Sequence, residues 1–290
     1  MSMQHGIYYA YWEKKWEGDY IYYADKVARL GFDILEIAAS PLPFYTKDQI
    51  RALRDCARNN GIRLTAGHGP SPEQNIASAD PAVRANAMEF YKRLFDVMGQ
   101  LEIDLIGGGI YSYWPVDYTK PIDKEGDWKR SVEGIREMAH IASQYNITLC
   151  LEVLNRFEGY LLNCSEEGTR FVKEVNEPNV KVMLDTFHMN IEETSIGDAI
   201  RTAGSLLGHL HTGECNRLVP GRGRTPWREI HDALRDIGYD KAVVMEPFVQ
   251  VGGKVGSDIK VWRPMIDDQS EARLDADAKD ALAFQRYMLG

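Results

Sequence analysis

The sequence predicts an α/β protein folded as one (β/α)8 barrel spanning residues 1–290. Three observations predict it. Eight short apolar runs recur along the chain, the stretches between them carry helix patterns, and no linker or low-complexity segment breaks the alternation. Length alone would suggest two domains, but barrels of this kind reach this size as one. A doubly wound open sheet is the structural alternative, and it usually carries a glycine-rich nucleotide loop after its first strand. Here the first strand runs into "GIYYAYWEKKW", which is aromatic rather than glycine-rich.

The elements follow in order. "GIYYA" at 6–10 is the first strand and "FDILEIAA" at 32–39 the second, nearly continuous in aliphatic residues as a strand covered on both faces should be. "TKDQIRALRDCARNNG" reads as a helix, with Thr46 and Gln49 as a capping box, Ile50, Leu53 and Ala57 on one face, and Gly61 as its stop. "IRLTAGH" at 62–68 is the third strand. Asp80 caps the next helix and Pro81 takes its first position. "IDLIGGG" at 103–109, "ITLCLEV" at 147–153, "VKVMLD" at 180–185 and "LGHLH" at 207–211 supply strands four to seven. "TPWREIHDALRDIG" repeats the helix device, with Thr225 as cap, then Pro226, an apolar face of Trp227, Ile230, Leu234 and Ile237, and Gly238 as stop. "AVVME" at 242–246 is the eighth strand, and a helix over 271–288 completes the set.

Composition narrows the function. Hydrophobic residues make up 44% and charged residues 27%, the balance of an ordinary globular protein. A net charge of −9 argues against non-specific nucleic-acid binding, which needs a basic face, but is compatible with holding a cation. Cys56, Cys150, Cys164 and Cys215 form no CxxC pair, so neither a zinc ribbon nor a redox dithiol is suggested. No signal-peptide pattern and no membrane-length apolar run is visible. The expectation is a reduced, cytoplasmic protein with no membrane partner.

In a barrel the C-terminal strand ends share one mouth, where catalytic groups sit. The fifth strand ends in Glu152, the sixth in Asp185, the seventh in His211 and the eighth in Glu246. A single carboxylate at a strand end is ordinarily a solvated residue opening a loop. Four ligand-type residues on successive strands would converge, and their carboxylates would repel one another without a cation. Three carboxylates and an imidazole, with no thiolate, suit Mn²⁺, Mg²⁺ or Co²⁺ better than a tetrahedral structural zinc. His188, Glu158 and Arg217 lie a few residues beyond these ends and are rim candidates. His188 reads either as a surface loop histidine or as a donor to a substrate oxygen. His209 shares a face with His211 by strand period and reads as packing or as support for it. Tyr8, Trp16, Trp114 and Phe248 gather at the same mouth; each taken singly reads as ordinary packing, and together they offer apolar surfaces of the kind a concave ligand site uses.

These residues sit in blocks, "HGIYYAYWE", "GGGIYSYWP", "LEVLNRFE", "VKVMLDTFHMNIEE", "GHLHTGECNR" and "VVMEPF", that together closely resemble the ketose 3-epimerases from the first strand to the final "DALAFQRYML". The resemblance implies a barrel enzyme that binds Mn²⁺ or Co²⁺, with Mg²⁺ less favoured, and that works as a homo-oligomer, a dimer or a tetramer. It implies Glu152, Asp185, His211 and Glu246 as metal ligands, and Glu158, His188 and Arg217 at the O1–O3 end of the sugar. Tyr8, Trp16, Gly67, Gly109, Trp114 and Phe248 fall on other substrate-pocket positions. Many relatives carry alanine at position 109, so glycine leaves more room there. The implied activity is C3 epimerisation of free ketohexoses, D-fructose with D-allulose, through a metal-bound cis-enediolate. Glu152 and Glu246 would be acid/base catalysts on opposite faces of C3.

Other readings use the same residues. One is an aldose–ketose isomerase; another is an epimerase for a phosphorylated ketose, whose phosphate would bind after strands seven and eight, near Arg217, "PGRGR" and "GGKVG" at 252–256. A repair nuclease on a related barrel would want more histidine ligands and a basic face. A sugar-binding module would have no need of paired glutamates.

Overall fold

The computed structural model describes residues 3–290. In chain order the elements are β1 (Gln4–Tyr8), α1 (Tyr20–Leu30), β2 (Ile34–Ala38), α2 (Lys47–Asn59), β3 (Arg63–Gly67), α3 (Pro81–Leu101), β4 (Leu105–Gly108), α4 (Lys124–Ser143), β5 (Thr148–Glu152), α5 (Ser165–Val175), β6 (Val180–Asp185), α6 (Thr186–Glu192), α7 (Ile196–Ala203), β7 (Leu207–Thr212), α8 (Trp227–Asp236), β8 (Ala242–Met245), α9 (Gly253–Asp258) and α10 (Glu271–Leu289). All eight strands are parallel and pair in sequence order, and β1 closes the ring on β8. Among the described residues no helix is long and apolar enough to cross a membrane.

Most sequence signals act as expected. Thr46 and Gln49 make both halves of the capping box of α2. Asp80 accepts from Ala82 N ahead of Pro81. Gly31, Gly61 and Gly238 end helices in the left-handed region. Two signals act differently. "GIYYA" stops being strand at Tyr8, and Tyr9–Tyr11 turn into a short 3-10 helix whose rings join the packed layer outside the barrel. Thr225 does not cap α8, which begins at Trp227 without a side-chain cap. Its hydroxyl instead donates to Gly213 O at 3.2 Å, and its backbone N–H donates to Glu214 at 2.9 Å. The buried loop acceptors claim the residue first.

The core has two parts. The larger lies between the sheet and its helices. Inside the barrel, Ile34, Ala242 and Val244 form one small cluster and Leu105, Cys150 and Met183 another. They fill the space beneath the mouth, so polar side chains one layer up rest on an apolar floor. Strand alternation decides which residues rise into that layer: Ile34 and Glu36 point inward while Leu35 and Ile37 pack outward. A bulge in β7 resets this phase. Val182 pairs with Leu207 but Met183 pairs with His209, so Gly208 is the extra residue. Leu207 therefore packs outward while His209 and His211 both face in.

Candidate active site

Asp185 and His211 are register partners at the ends of β6 and β7, and Glu152 ends β5. Glu246 lies one residue past β8, with its N–H held by Thr212 O at 2.8 Å. One donor atom from each of these four residues lies within 4.8 Å of every other. His211 Nδ1 is 3.9 Å from Glu152 Oε1 and 3.6 Å from Glu246 Oε2. Asp185 is fully buried, and its carboxylate also accepts from Phe187 N at 2.6 Å as the N-cap of α6.

The electrostatics suit a cation. Burial, then the neighbouring charge of Glu246, pushes the Glu152 carboxyl well above the usual carboxylate range. Burial alone would lower the His211 imidazole, but Glu36 and Glu246 outweigh it and raise it. His211 Nδ1 is buried and makes no hydrogen bond, although it is aimed at two carboxylates. Three carboxylates and an imidazole nitrogen converging in this way fit a divalent metal ion, which would take the place of the proton that these carboxylates favour on His211.

The rim residues arrive as a connected set. Arg217 sits in the β7–α8 loop with φ +65°, buried, and its Nη1 reaches Asp185 at 3.0 Å and Glu246 at 2.9 Å. Its guanidinium lies 4.0 Å from the Phe187 ring centroid and 5.3 Å from that of Phe248. Burial lowers its affinity for the proton, yet Asp185 and Glu246 outweigh that, so it stays charged. His188 Nδ1 accepts from the side-chain amide of Asn155 at 2.7 Å and from its backbone N–H at 3.2 Å. The ring proton is therefore on Nε2, which faces Glu152 Oε1 at 3.7 Å. Burial lowers His188 to about 4, so it is neutral near pH 7. Asn155 also donates to Glu158 Oε1 at 3.0 Å, which places Glu158 3.8 Å from Arg217.

These groups open onto a cavity of about 300 Å³. Trp16 packs edge-on to Trp114 and Phe248, at 5.8 and 6.1 Å, and Tyr8 packs edge-on to Phe248 at 6.4 Å. Trp16 is held by its indole N–H, which donates to Asp258 at 2.8 Å. Gly67 and Gly109 line the wall. A Cβ at Gly67 would press on the Tyr8 ring at 3.3 Å, whereas at Gly109 it would meet only Leu154 at 3.6 Å, an ordinary contact. Position 109 therefore has room for a methyl group. Gly108 must be glycine, because its φ is +113° and a Cβ would run into the His68 backbone.

All thirteen residues singled out in the sequence thus meet at one mouth. Sequence reasoning passed over Glu36, Asn155, Ser40 and Asp258. Glu36 did carry a signal: a charge in the middle of "ILEIA", in a strand covered on both faces, needs buried partners. Asn155 and Ser40 lie in loops and Asp258 ends the short helix α9, places where polar residues are unremarkable.

Residues 24–267 match the family model of the xylose isomerase-like TIM barrel. The chain is 65% identical over 287 residues to the D-psicose 3-epimerase of Ruminiclostridium cellulolyticum, covering 99% of this chain and 98% of that one. It is 56% identical over 288 residues to the D-psicose 3-epimerase of Agrobacterium fabrum, covering 99% and 100%. Against a crystal structure of D-psicose 3-epimerase with D-tagatose from Clostridium cellulolyticum H10, the TM-score is 0.98 with 65% identity, over 99% of both chains.

Proposed function

The chain belongs to the ketose 3-epimerases within the xylose isomerase-like TIM-barrel family, and on that premise we propose that it is a divalent-metal-dependent isomerase interconverting D-fructose and D-allulose (D-psicose) at C3. The observation that carries this reading is the convergence of two glutamates from different strands on one nitrogen of a buried imidazole. Glu152, Asp185, His211 and Glu246 would hold the cation. When bound, it supplies Lewis-acid stabilisation of the negative charge that develops on the sugar oxygens as the C3 proton leaves. The oxygen-rich donor set supports Mn²⁺ or Co²⁺ as the metal.

Inversion at C3 needs a base on one face and an acid on the other. Glu152 and Glu246 rise from β5 and from the end of β8, and the sugar would lie between them. One glutamate removes the proton and the other delivers one to the opposite face, with their roles exchanged in the reverse direction. His188, its proton fixed on Nε2 by Asn155, would donate to a sugar oxygen beside Glu152. Arg217 and Glu158 would position the O1–O3 end, and the Tyr8, Trp16, Trp114 and Phe248 rings would cover the carbon skeleton and exclude water.

A free sugar suits this mouth better than a phosphorylated one. The arginine and lysine lining the cavity are already matched by carboxylates: Arg217 by Asp185 and Glu246, Lys254 by Asp258 at 2.6 Å. Past β7, Arg222 is taken by Asp280 at 3.2 Å. Homo-oligomerisation and a cytoplasmic location belong to the same proposal. Exposed Phe157 and Tyr118, neighbours beside the mouth, support the first, and four free cysteines support the second.

The test is D-fructose in D₂O with protein stripped of metal and then reloaded with Mn²⁺ or Co²⁺. Stripped protein should be inactive, and reloaded protein should yield D-allulose carrying deuterium at C3. Product that keeps the original hydrogen, or full turnover without metal, would overturn the reading.

A further inference from the structure

We propose that Glu36 is the positioning residue of the metal centre: from the second strand it fixes the His211 imidazole with its proton on Nε2 and its Nδ1 lone pair turned to the other three ligands. The inference rests on reading Glu152, Asp185, His211 and Glu246 as the metal site, and it assigns a role to a residue outside that set.

Glu36 is completely buried in the barrel, and three side chains from two other strands satisfy its carboxylate. Oε1 takes His211 Nε2 at 2.5 Å, Oε2 takes His209 Nε2 at 2.9 Å, and Oε2 also accepts from Thr65 Oγ1 at 2.8 Å. An ionised carboxylate can only accept, so both imidazoles must present N–H on Nε2. With Nε2–H held by Glu36, Nδ1 is the nitrogen left to give up its proton to a metal; it faces Glu152 and Glu246 and has no hydrogen bond. The other tautomer would put a proton on the coordinating nitrogen and an unpaired lone pair against Glu36. A carboxylate behind a coordinating imidazole also raises its basicity as a ligand.

Glu36, His209 and His211 could themselves be taken for a metal site, since their donor atoms cluster closely. The distances argue otherwise. Two donors on one zinc-like ion with bonds of about 2.0–2.1 Å stand about 3.3 Å apart in a tetrahedron. Glu36 Oε1 and His211 Nε2 are at 2.5 Å, a hydrogen-bond separation that leaves no place for an ion between them. His209 thus serves the metal centre indirectly. It occupies the second oxygen of Glu36 and, with Thr65, fixes how the carboxylate is turned. The bulge at Gly208 sets the phase that brings both histidines onto it.

The experiment is Co²⁺ binding by chelator competition, comparing the unaltered enzyme with Glu36→Gln. A glutamine offers one acceptor oxygen and one N–H₂ to two imidazoles, so either His211 changes tautomer or it loses its anionic partner. Co²⁺ affinity should fall on the order of 10- to 100-fold, with one Co²⁺ per chain in the unaltered enzyme and the KM for D-fructose nearly unchanged once the variant is saturated with metal. Equal Kd values, or two Co²⁺ per chain in the unaltered enzyme, would overturn the assignment of Glu36 while leaving the metal site standing. An unaltered enzyme that binds no divalent ion would remove both. A second measurement needs no variant. In Zn²⁺-loaded enzyme labelled with ¹⁵N-histidine, the His211 ring proton should be found on Nε2, and a proton on Nδ1 would be fatal to the proposal.

Discussion

Asp185 carries two duties with one side chain. One carboxylate oxygen caps α6 through Phe187 N, and the other meets Arg217 at 3.0 Å within the cluster of four candidate ligands. The helix cap fixes the carboxylate before any ligand is considered, so the site is preorganised by the chemistry that starts the helix. Glu152 and Glu246 have no such cap and differ in surroundings: Glu152 faces His188 at 3.7 Å, whereas Glu246 is paired with Arg217 at 2.9 Å. Glu152→Gln and Glu246→Gln should each reduce epimerisation by at least about 10³-fold, because an amide can approach a metal through its oxygen but cannot take a proton. One variant should still wash solvent deuterium into C3 of a single epimer, since the remaining glutamate can remove and return a proton on its own face. Near-normal epimerisation by either variant, followed by NMR of the sugars, would defeat the two-glutamate mechanism.

The β7–α8 loop shows how an element is held in an unusual shape. Glu214 is fully buried, and its carboxylate accepts from Gly221 N at 2.7 Å, Thr225 N at 2.9 Å and the Trp227 indole at 2.9 Å. Its backbone completes the turn: Arg217 N donates to Glu214 O at 2.9 Å, and Phe248 N donates to Arg217 O at 2.9 Å. The left-handed Arg217 is kept in place by this frame, since a non-glycine residue there costs of order 1 kcal/mol. A Cβ at Gly223 would come 2.7 Å from that of Glu214, so the loop packs onto the carboxylate only with glycine there. Glu214→Gln keeps the volume but places an N–H₂ against backbone donors. It should destabilise the protein by about 2–3 kcal/mol and raise the KM for D-fructose, because Arg217 is no longer held. Urea midpoints and initial rates on the metal-loaded protein test this, and a lost midpoint with an unchanged KM would show that the frame does not position Arg217.

At the scale of the whole molecule, closure brings the first and last helices together. Lys26 of α1 is almost fully buried, is held by Glu271 and, at 3.0 Å, by Asp275 of α10, and lies 5.1 Å from the Trp12 ring centroid. Closure also buries ionisable groups that cannot change charge freely. His68, just past β3, stacks on Phe90 at 5.3 Å and contacts Ser40 Oγ at 3.2 Å. Burial lowers its pKa from 6.5 to about 3. The unfolded chain takes up this proton below about pH 6.5 while the folded chain refuses it until about pH 3. The neutral ring's contribution is therefore complete above pH 6.5 and is lost as pH falls. At pH 5 the loss is about 2 kcal/mol. His68→Asn should lose less stability than the unaltered enzyme between pH 7 and pH 5, by about that amount. Parallel pH slopes of the unfolding free energy would show that His68 is not the group responsible.

The barrel, and the four residues that converge at the ends of β5 to β8, were legible in the sequence. Eight runs of buried-strand composition separated by capped helices admit few arrangements, and a strand's period of two decides which of its residues reach the mouth. Glu152, Asp185, His211 and Glu246 could be read as a group because each terminates an apolar run, where the sequence records the passage from core to rim. The pairings across the ring are set only when the barrel closes. Glu36 meets His209 and His211 across 173 and 175 residues of chain, from strands that are not neighbours in the sheet, and no periodicity encodes contacts across a barrel interior. The loss of Thr225 as a cap, the tautomer of His188 and the left-handed turn at Arg217 are likewise fixed by loops. A loop's shape follows from which buried donors and acceptors it must satisfy, and those partners are known only once the barrel has closed.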